Sequence, residues 1–200
     1  MTPYGTDEGV GMVTIAVLRH APALTGGRLA GRGDVDADCG DAAAFRRMRQ
    51  QVRQMLGADL RALSSPARRC VQTAGAMGFA PPPTDPGLWE QDYGAWEGLT
   101  YEQLPDLGPL PTHQLAAHRP TGGESFDDMA ARVQPVLRSV AHDTLIFGHA
   151  GTARAALALV VGHRALSFAI APLSLTVLRR SGMAGAETWA IEAVNLTALP

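Results

Sequence analysis

Apolar and β-branched residues fall in short runs along this chain, separated by amphipathic stretches and by loops rich in proline and glycine. "VTIAVL" (13–18) contains no charge and predicts a buried strand. Residues 41–56 place Phe45, Met48, Val52 and Met55 at spacings of 3, 4 and 3, which predicts a helix with one apolar face. "LRALS" (60–64) predicts a second strand. Ser65 and Pro66 follow it as a helix start, with Ser as cap and Pro at the first helical position. "APPPTDPG" (80–87) is a loop, and residues 105–123, with four prolines and three glycines, predict a long excursion or lid. "SFDD" (125–128) predicts a capping box opening a helix to about His142, kinked at Pro135. "TLIF" (144–147) is a third strand, "TARAALALVV" (152–161) a helix, and "LTVLRR" (175–180) and "TWAIEAV" (188–194) are closing strands.

Alternating strands and helices with continuously apolar strands predict an α/β protein whose mostly parallel sheet is covered on both faces. In such folds ligands bind outside the C-terminal ends of the strands. Length sharpens this picture only slightly: 200 residues suit one domain over 13–200, with residues 1–12 as a loose N-terminal tail. The longest late apolar run, "AALALVVG", is too short to span a bilayer, and the first twelve residues lack the cationic start and apolar core of a signal peptide. A cytoplasmic location is expected. Net charge of −2 draws in neither nucleic acid nor an acidic membrane. All 17 cationic residues are Arg and none is Lys. That excludes a Schiff-base lysine and a Walker-type phosphate loop, so any anion must be held by Arg, His or backbone N–H groups. Cys39 and Cys70 make neither a disulfide framework nor a zinc site.

Three predicted strands end in chemistry. The first ends in Arg19-His20, the second in "SSPARRC" with Arg68 and Arg69, and the third in "GHAG" with His149. Taken singly, each reads as a solvated strand end or a packed histidine. Converging on one rim beside a helix start, they read as a pocket for a phosphoryl group. Two histidines allow one to attack phosphorus as a neutral imidazole while the other stays cationic and stabilises charge. A proton donor for the leaving oxygen is then required. "LWEQDYGAWEGLTYEQL" offers Glu90, Asp92, Glu97 and Glu102, and residue chemistry alone does not choose between Glu90 and Glu97, though a partly buried carboxyl could hold a proton near neutral pH.

Five blocks in order resemble the histidine phosphatase (phosphoglycerate mutase-like) superfamily: "LRHA", "SSPARRCVQTA", "LWEQDYGAWEG", "PTGGESFDDMAARV" and "IFGHAGTAR". The resemblance covers roughly residues 13–165. It implies a phosphoglycerate mutase-like three-layer α/β/α sandwich and no metal or organic cofactor. By the same resemblance His20 is the nucleophile that becomes phosphohistidine, and Arg19 holds the phosphate. The family's arginine lies three residues before Gln and four before Thr, so the resemblance implies Arg69 over Arg68; it likewise matches Glu90 to the acid and Glu97 to the structural glutamate of the Trp-Glu-Gly turn. His149 is the second phosphate-pocket histidine, with the Ala150 N–H aimed at the phosphate. The glycine that usually follows the nucleophile is Ala21 here, with Pro22 next, and a loop ligand could be supplied by Arg28 or Arg32. "LRHAPALTGGRLAGRGDVDAD" resembles the α-ribazole phosphatase branch, which implies α-ribazole 5′-phosphate, an intermediate of cobalamin biosynthesis, as a substrate.

The leading expectation is therefore a phosphatase acting on a small organic phosphate monoester. Its specificity is expected from residues 24–40, from 105–123 and from Glu124-Ser125. The alternatives are a mutase-type phosphotransferase, an inactive module that binds a phosphorylated partner, and a metal-dependent hydrolase. The expected partner is a small phosphate ester, with no nucleic acid and no membrane, and a homodimer is compatible with such a chain.

Overall fold

The computed structural model describes residues 11–182 and 185–198. Nearly all of the expected N-terminal tail lies outside these residues. Five strands form one sheet: β1 Val13–Arg19, β2 Arg61–Ser64, β3 Thr144–Gly148, β4 Ser174–Ser181 and β5 Thr188–Thr197, in the order β2-β3-β1-β4-β5. β2, β3 and β1 pair in parallel. β4 is antiparallel to both β1 and β5, so four of the five strands point the same way. This is the mostly parallel sheet expected. Arg19 lies opposite Gly148 and Ser64 opposite Phe147. The ladder then runs one residue further: His20 N–H donates to the Gly148 carbonyl (2.9 Å) and Ser65 N–H to the Phe147 carbonyl (2.9 Å). Three strand ends are thereby fixed side by side.

Side-chain alternation along β1 divides the core in two. Ala16 and Leu18 face α1 (Ala42–Leu56) and α2 (Arg68–Ala76), packing with Phe45, Met48 and Val52. Ile15 and Val17 face α4 (Phe126–Ser139) and α5 (Ala150–Val161), packing with Met129, Val133 and Leu157. The result is a three-layer α/β/α sandwich, with α3 (Thr112–Ala117) at its margin. Among the described residues no helix is long and apolar enough to cross a membrane.

Two local expectations change. α2 begins at Arg68, not Pro66. The Ser65 hydroxyl accepts the Ala67 N–H (3.3 Å), and the Asp34 carboxylate takes the Arg68 N–H (2.8 Å) from across the chain. The cap is tertiary, so local sequence could not show it. Residues 105–123 do form an excursion, but α3 within it packs on α4 and on the turn Gly162–Ser167 after α5, and not over the strand ends. The capping box at Ser125 and Asp128 is present, and α4 runs through Pro135 unbroken.

Candidate active site

A cleft of about 550 Å³ opens at the C-terminal ends of β1, β2 and β3. Arg19, His20, Arg69, Glu90 and Ala150 line it. His20 leaves β1 5% exposed. Its Nδ1 lies 2.7 Å from the carbonyl oxygen of Ala21. A carbonyl only accepts, so Nδ1 carries the proton and Nε2 keeps its lone pair. The turn behind it is pinned: Ala21 N–H donates to Thr73 Oγ1 (3.0 Å), whose own hydroxyl donates to the Arg69 carbonyl (2.7 Å).

Arg69 sits in the first turn of α2 and is 1% exposed. Its guanidinium is aimed by two carbonyls, Gly33 at 2.9 Å from Nη1 and Gly31 at 2.7 Å from Nη2. Arg19 is held by one bond, Nη1 to the Ile170 carbonyl at 2.5 Å, and its buried Nε has no partner. Glu90 is 7% exposed; it accepts the Gln91 N–H (2.9 Å) on Oε1 and the Gly151 N–H (3.2 Å) on Oε2. A Cβ at Gly151 would lie 2.1 Å from Glu90 Oε1, so a glycine at the start of α5 is what lets this carboxylate approach.

His149 has no exposed surface and stands edge-on behind His20, ring centroids 5.3 Å apart at 70°. Its Nε2 lies 2.9 Å from Ser65 Oγ and 3.6 Å from Cys70 Sγ. Burial, reinforced by Arg69 and Arg19, pulls the His20 pKa down to about 3. Burial first, then Arg69 and His20, pulls His149 well below its ordinary value. The expectation of a standing cation at His149 is thus corrected: burial favours the neutral ring.

Arg32, Glu124 and His149 are not among the residues lining the cleft, although all three were expected to bind the substrate or its phosphate; His149 lies buried behind His20. Arg132 takes Glu124 as a bidentate partner (Nε–Oε1 2.8 Å, Nη2–Oε2 2.7 Å), and Arg32 Nη2 lies 3.5 Å from the same carboxylate while stacking over Trp89. Burial opposes ionisation of Glu124, but Arg132 and the Asp92 N–H outweigh it and hold its pKa below the ordinary range. Arg132 also donates to the carbonyls of Gly87, Trp89 and Glu90, fixing the segment that carries Glu90. Sequence reasoning missed Tyr93, Tyr101 and Arg154 in the lining. For Arg154 a signal existed: it falls one turn after Ala150, on the same helix face.

The model of the histidine phosphatase superfamily (branch 1) matches residues 15–197. "Bifunctional protein Rv2228c" of Mycobacterium tuberculosis is 36% identical over 107 residues, which are 50% of this chain and 27% of that protein. The chain thus spans about a quarter of the first curated relatives it matches. "Glucosyl-3-phosphoglycerate phosphatase" of Mycolicibacterium vanbaalenii is 28% identical over 172 residues, 82% of this chain and 75% of that one. Among solved structures, "Mycobacterial hydrolase 1" superposes with a TM-score of 0.79 at 23% identity, covering 94% of this chain and 100% of that one, a likeness of fold.

Proposed function

We propose that this chain, which belongs to branch 1 of the histidine phosphatase superfamily, hydrolyses a small phosphate monoester through a phosphohistidine. One observation carries the reading: the Nδ1 proton of His20 is spent on the Ala21 carbonyl, so an unprotonated Nε2 is presented to an arginine-lined cleft. In the first step Nε2 attacks phosphorus in line, the N–P bond forms and the P–O bond to the alcohol breaks. Arg19 and Arg69 neutralise the non-bridging oxygens. Glu90 gives the departing alkoxide a proton. In the second step the Glu90 carboxylate takes a proton from water as the oxygen attacks phosphorus, releasing phosphate and restoring His20. His149, neutral at rest, stands edge-on behind the nucleophile and backs its ring.

Hydrolysis is favoured over phosphotransfer because the cleft is open to solvent at its rim and residues 105–123 contribute nothing to its lining. A relative named as a phosphatase supports the same choice. α-Ribazole 5′-phosphate belongs in the substrate panel on the strength of residues 18–38. The test is to trap the intermediate. Rapid acid-free quench with radiolabelled substrate should leave acid-labile, alkali-stable phosphate on the wild type and none on His20→Ala. Normal hydrolysis of p-nitrophenyl phosphate by His20→Ala would overturn the assignment.

A further inference from the structure

Arg69 has two carbonyls behind its guanidinium, whereas Arg19 has the Ile170 carbonyl alone. Where Arg19 points therefore depends on residues 170–173, which join the turn Gly162–Ser167 to β4. The same loop reaches the nucleophile, because Leu173 N–H donates to the His20 carbonyl (3.2 Å). Leu173 does so at φ 52°, in the left-handed region that a bulky side chain disfavours. Among the described residues Asn195 is the other non-glycine residue with a positive φ, at 55°. It lies on β5 in a bulge: Leu175 pairs with Leu196 and Val177 with Ala193, so Thr176 faces both Val194 and Asn195. The Asn195 N–H leaves the ladder for Thr176 Oγ1 (3.3 Å), and its side-chain Oδ1 accepts the Ala171 N–H at 2.6 Å. A backbone N–H only donates, so the amide oxygen and not the nitrogen must face Ala171. Ser174 Oγ donates to the Ala171 carbonyl (2.6 Å) and holds that residue from its other side. Two costly backbone conformations thus converge on the loop that supports Arg19 and His20, and such strain persists only where the surrounding structure holds it.

We propose that Asn195 is a positioning residue for the reaction. Through Ala171 it sets the Ile170 carbonyl, on which Arg19 depends. Through the same loop it sets Leu173 against His20. Asn195 is not among the residues lining the cleft, so it acts through these two and not on the substrate. This role rests on the phosphatase reading only for the tasks given to Arg19 and His20.

Two substitutions in the full chain separate the amide from the backbone. Asn195→Gly keeps the left-handed conformation without steric cost and loses the acceptor. Asn195→Asp keeps an acceptor oxygen and tolerates the same conformation. Asn195→Gly should lower kcat/KM on p-nitrophenyl phosphate on the order of tenfold. It should also weaken calorimetric binding of inorganic phosphate several-fold and move the Arg19 Nε–H cross-peak in heteronuclear NMR. Asn195→Asp should recover most of all three. In an Arg19→Ala background, Asn195→Gly should cost little further phosphate affinity, because the two changes remove one effect, whereas independent sites add. If Asn195→Gly does not fold, Ser174→Ala, which removes the other side-chain tie to Ala171, carries the same measurements. Unchanged phosphate affinity with an unmoved Arg19 resonance, or losses that add in full to those of Arg19→Ala, overturn the positioning role. The Arg19 resonance reads geometry without turnover, so an inactive wild type whose resonance still answers to Asn195 counts against the phosphatase reading alone.

Discussion

Glu90, buried, and Glu97, half-buried, lie on one short stretch of chain, and their oxygens meet opposite surroundings. Glu97 is saturated. Its two oxygens accept the backbone N–H groups of Gly31, Arg32, Gly33 and Tyr93, between 2.8 and 3.3 Å. A Cβ at Gly31 would lie 1.9 Å from the Gln91 carbonyl, so the loop and the acid segment meet backbone to backbone. The carbonyls of that same loop aim Arg69 at the cleft. Glu90 accepts only two N–H groups and lines the cleft. Geometry thus separates a candidate proton donor from a scaffold: one retains oxygen lone pairs facing the cleft, and the other has spent them on backbone.

The sharpest way to break this contrast is to exchange which property fails. Glu90→Gln should lower kcat by about 10²–10⁴-fold on an alkyl phosphate, which needs a proton for its leaving group. It should lower kcat/KM, which reports formation of the phosphohistidine alone, much less on p-nitrophenyl phosphate than on the alkyl ester, and thermal unfolding should barely move. Glu97→Ala should behave the other way. Stranding four backbone donors should cost about 3 kcal/mol, or on the order of 10 °C in Tm for a chain of this size. Calorimetric scans beside steady-state kinetics with both substrates decide it. If Glu90→Gln unfolds as early as Glu97→Ala, or if the leaving group makes no difference to it, the division of labour is wrong.

The second contrast is between the buried histidines and the exposed ones. His20 and His149 both have folded pKa values below their unfolded value of about 6.5. Below that pH the unfolded chain binds protons that the folded chain refuses. The stability they allow is therefore full above about pH 6.5 and is lost as pH falls from there toward 3 for His20. His20 should cost about 1–2 kcal/mol between pH 6.5 and 5, before most carboxylates titrate, and His149 acts in the same direction. Denaturant melts over that range should show the slope, and His20→Gln should flatten part of it. An unchanged slope in that variant would mean that His20 takes up a proton while folded.

Much of this contrast was legible in the sequence. Apolar strands ending in Arg19-His20, in Ser64-Ser65 and in Gly148-His149 identified one rim, because in a parallel sheet the ends of neighbouring strands must lie together. What could not be read were partnerships made across the chain. Glu97 is set apart from Glu90 chiefly by the loop at 31–33, which is distant in sequence. Glu124 looked like a ligand until Arg132 was seen to hold both its oxygens. Arg32 was drawn to the same pair. The predicted start of α2 at Pro66 failed for a related reason, since Asp34 caps that helix and leaves Ser65 free to meet His149.

That displaced serine offers the finest test. Ser65 Oγ accepts the Ala67 N–H and touches His149 Nε2, so one hydroxyl ties the turn after β2 to the ring behind His20. Ser65→Ala removes both of these neutral hydrogen bonds inside the core, each worth about 1 kcal/mol. A merely structural serine would show this loss in Tm alone. If the serine positions His149, its loss also lets the ring rotate, and His20 then loses the edge-on neighbour behind it. The expectation is a kcat roughly five-fold lower, about 1 kcal/mol in the barrier, with KM little changed and the His149 ring-nitrogen chemical shifts displaced. Ser65→Thr, which restores the hydroxyl, should recover both kcat and the shifts. A Tm loss with kcat and the His149 resonances untouched would reduce Ser65 to packing and leave Cys70, 3.6 Å from the same nitrogen, as the remaining neighbour that orients the ring.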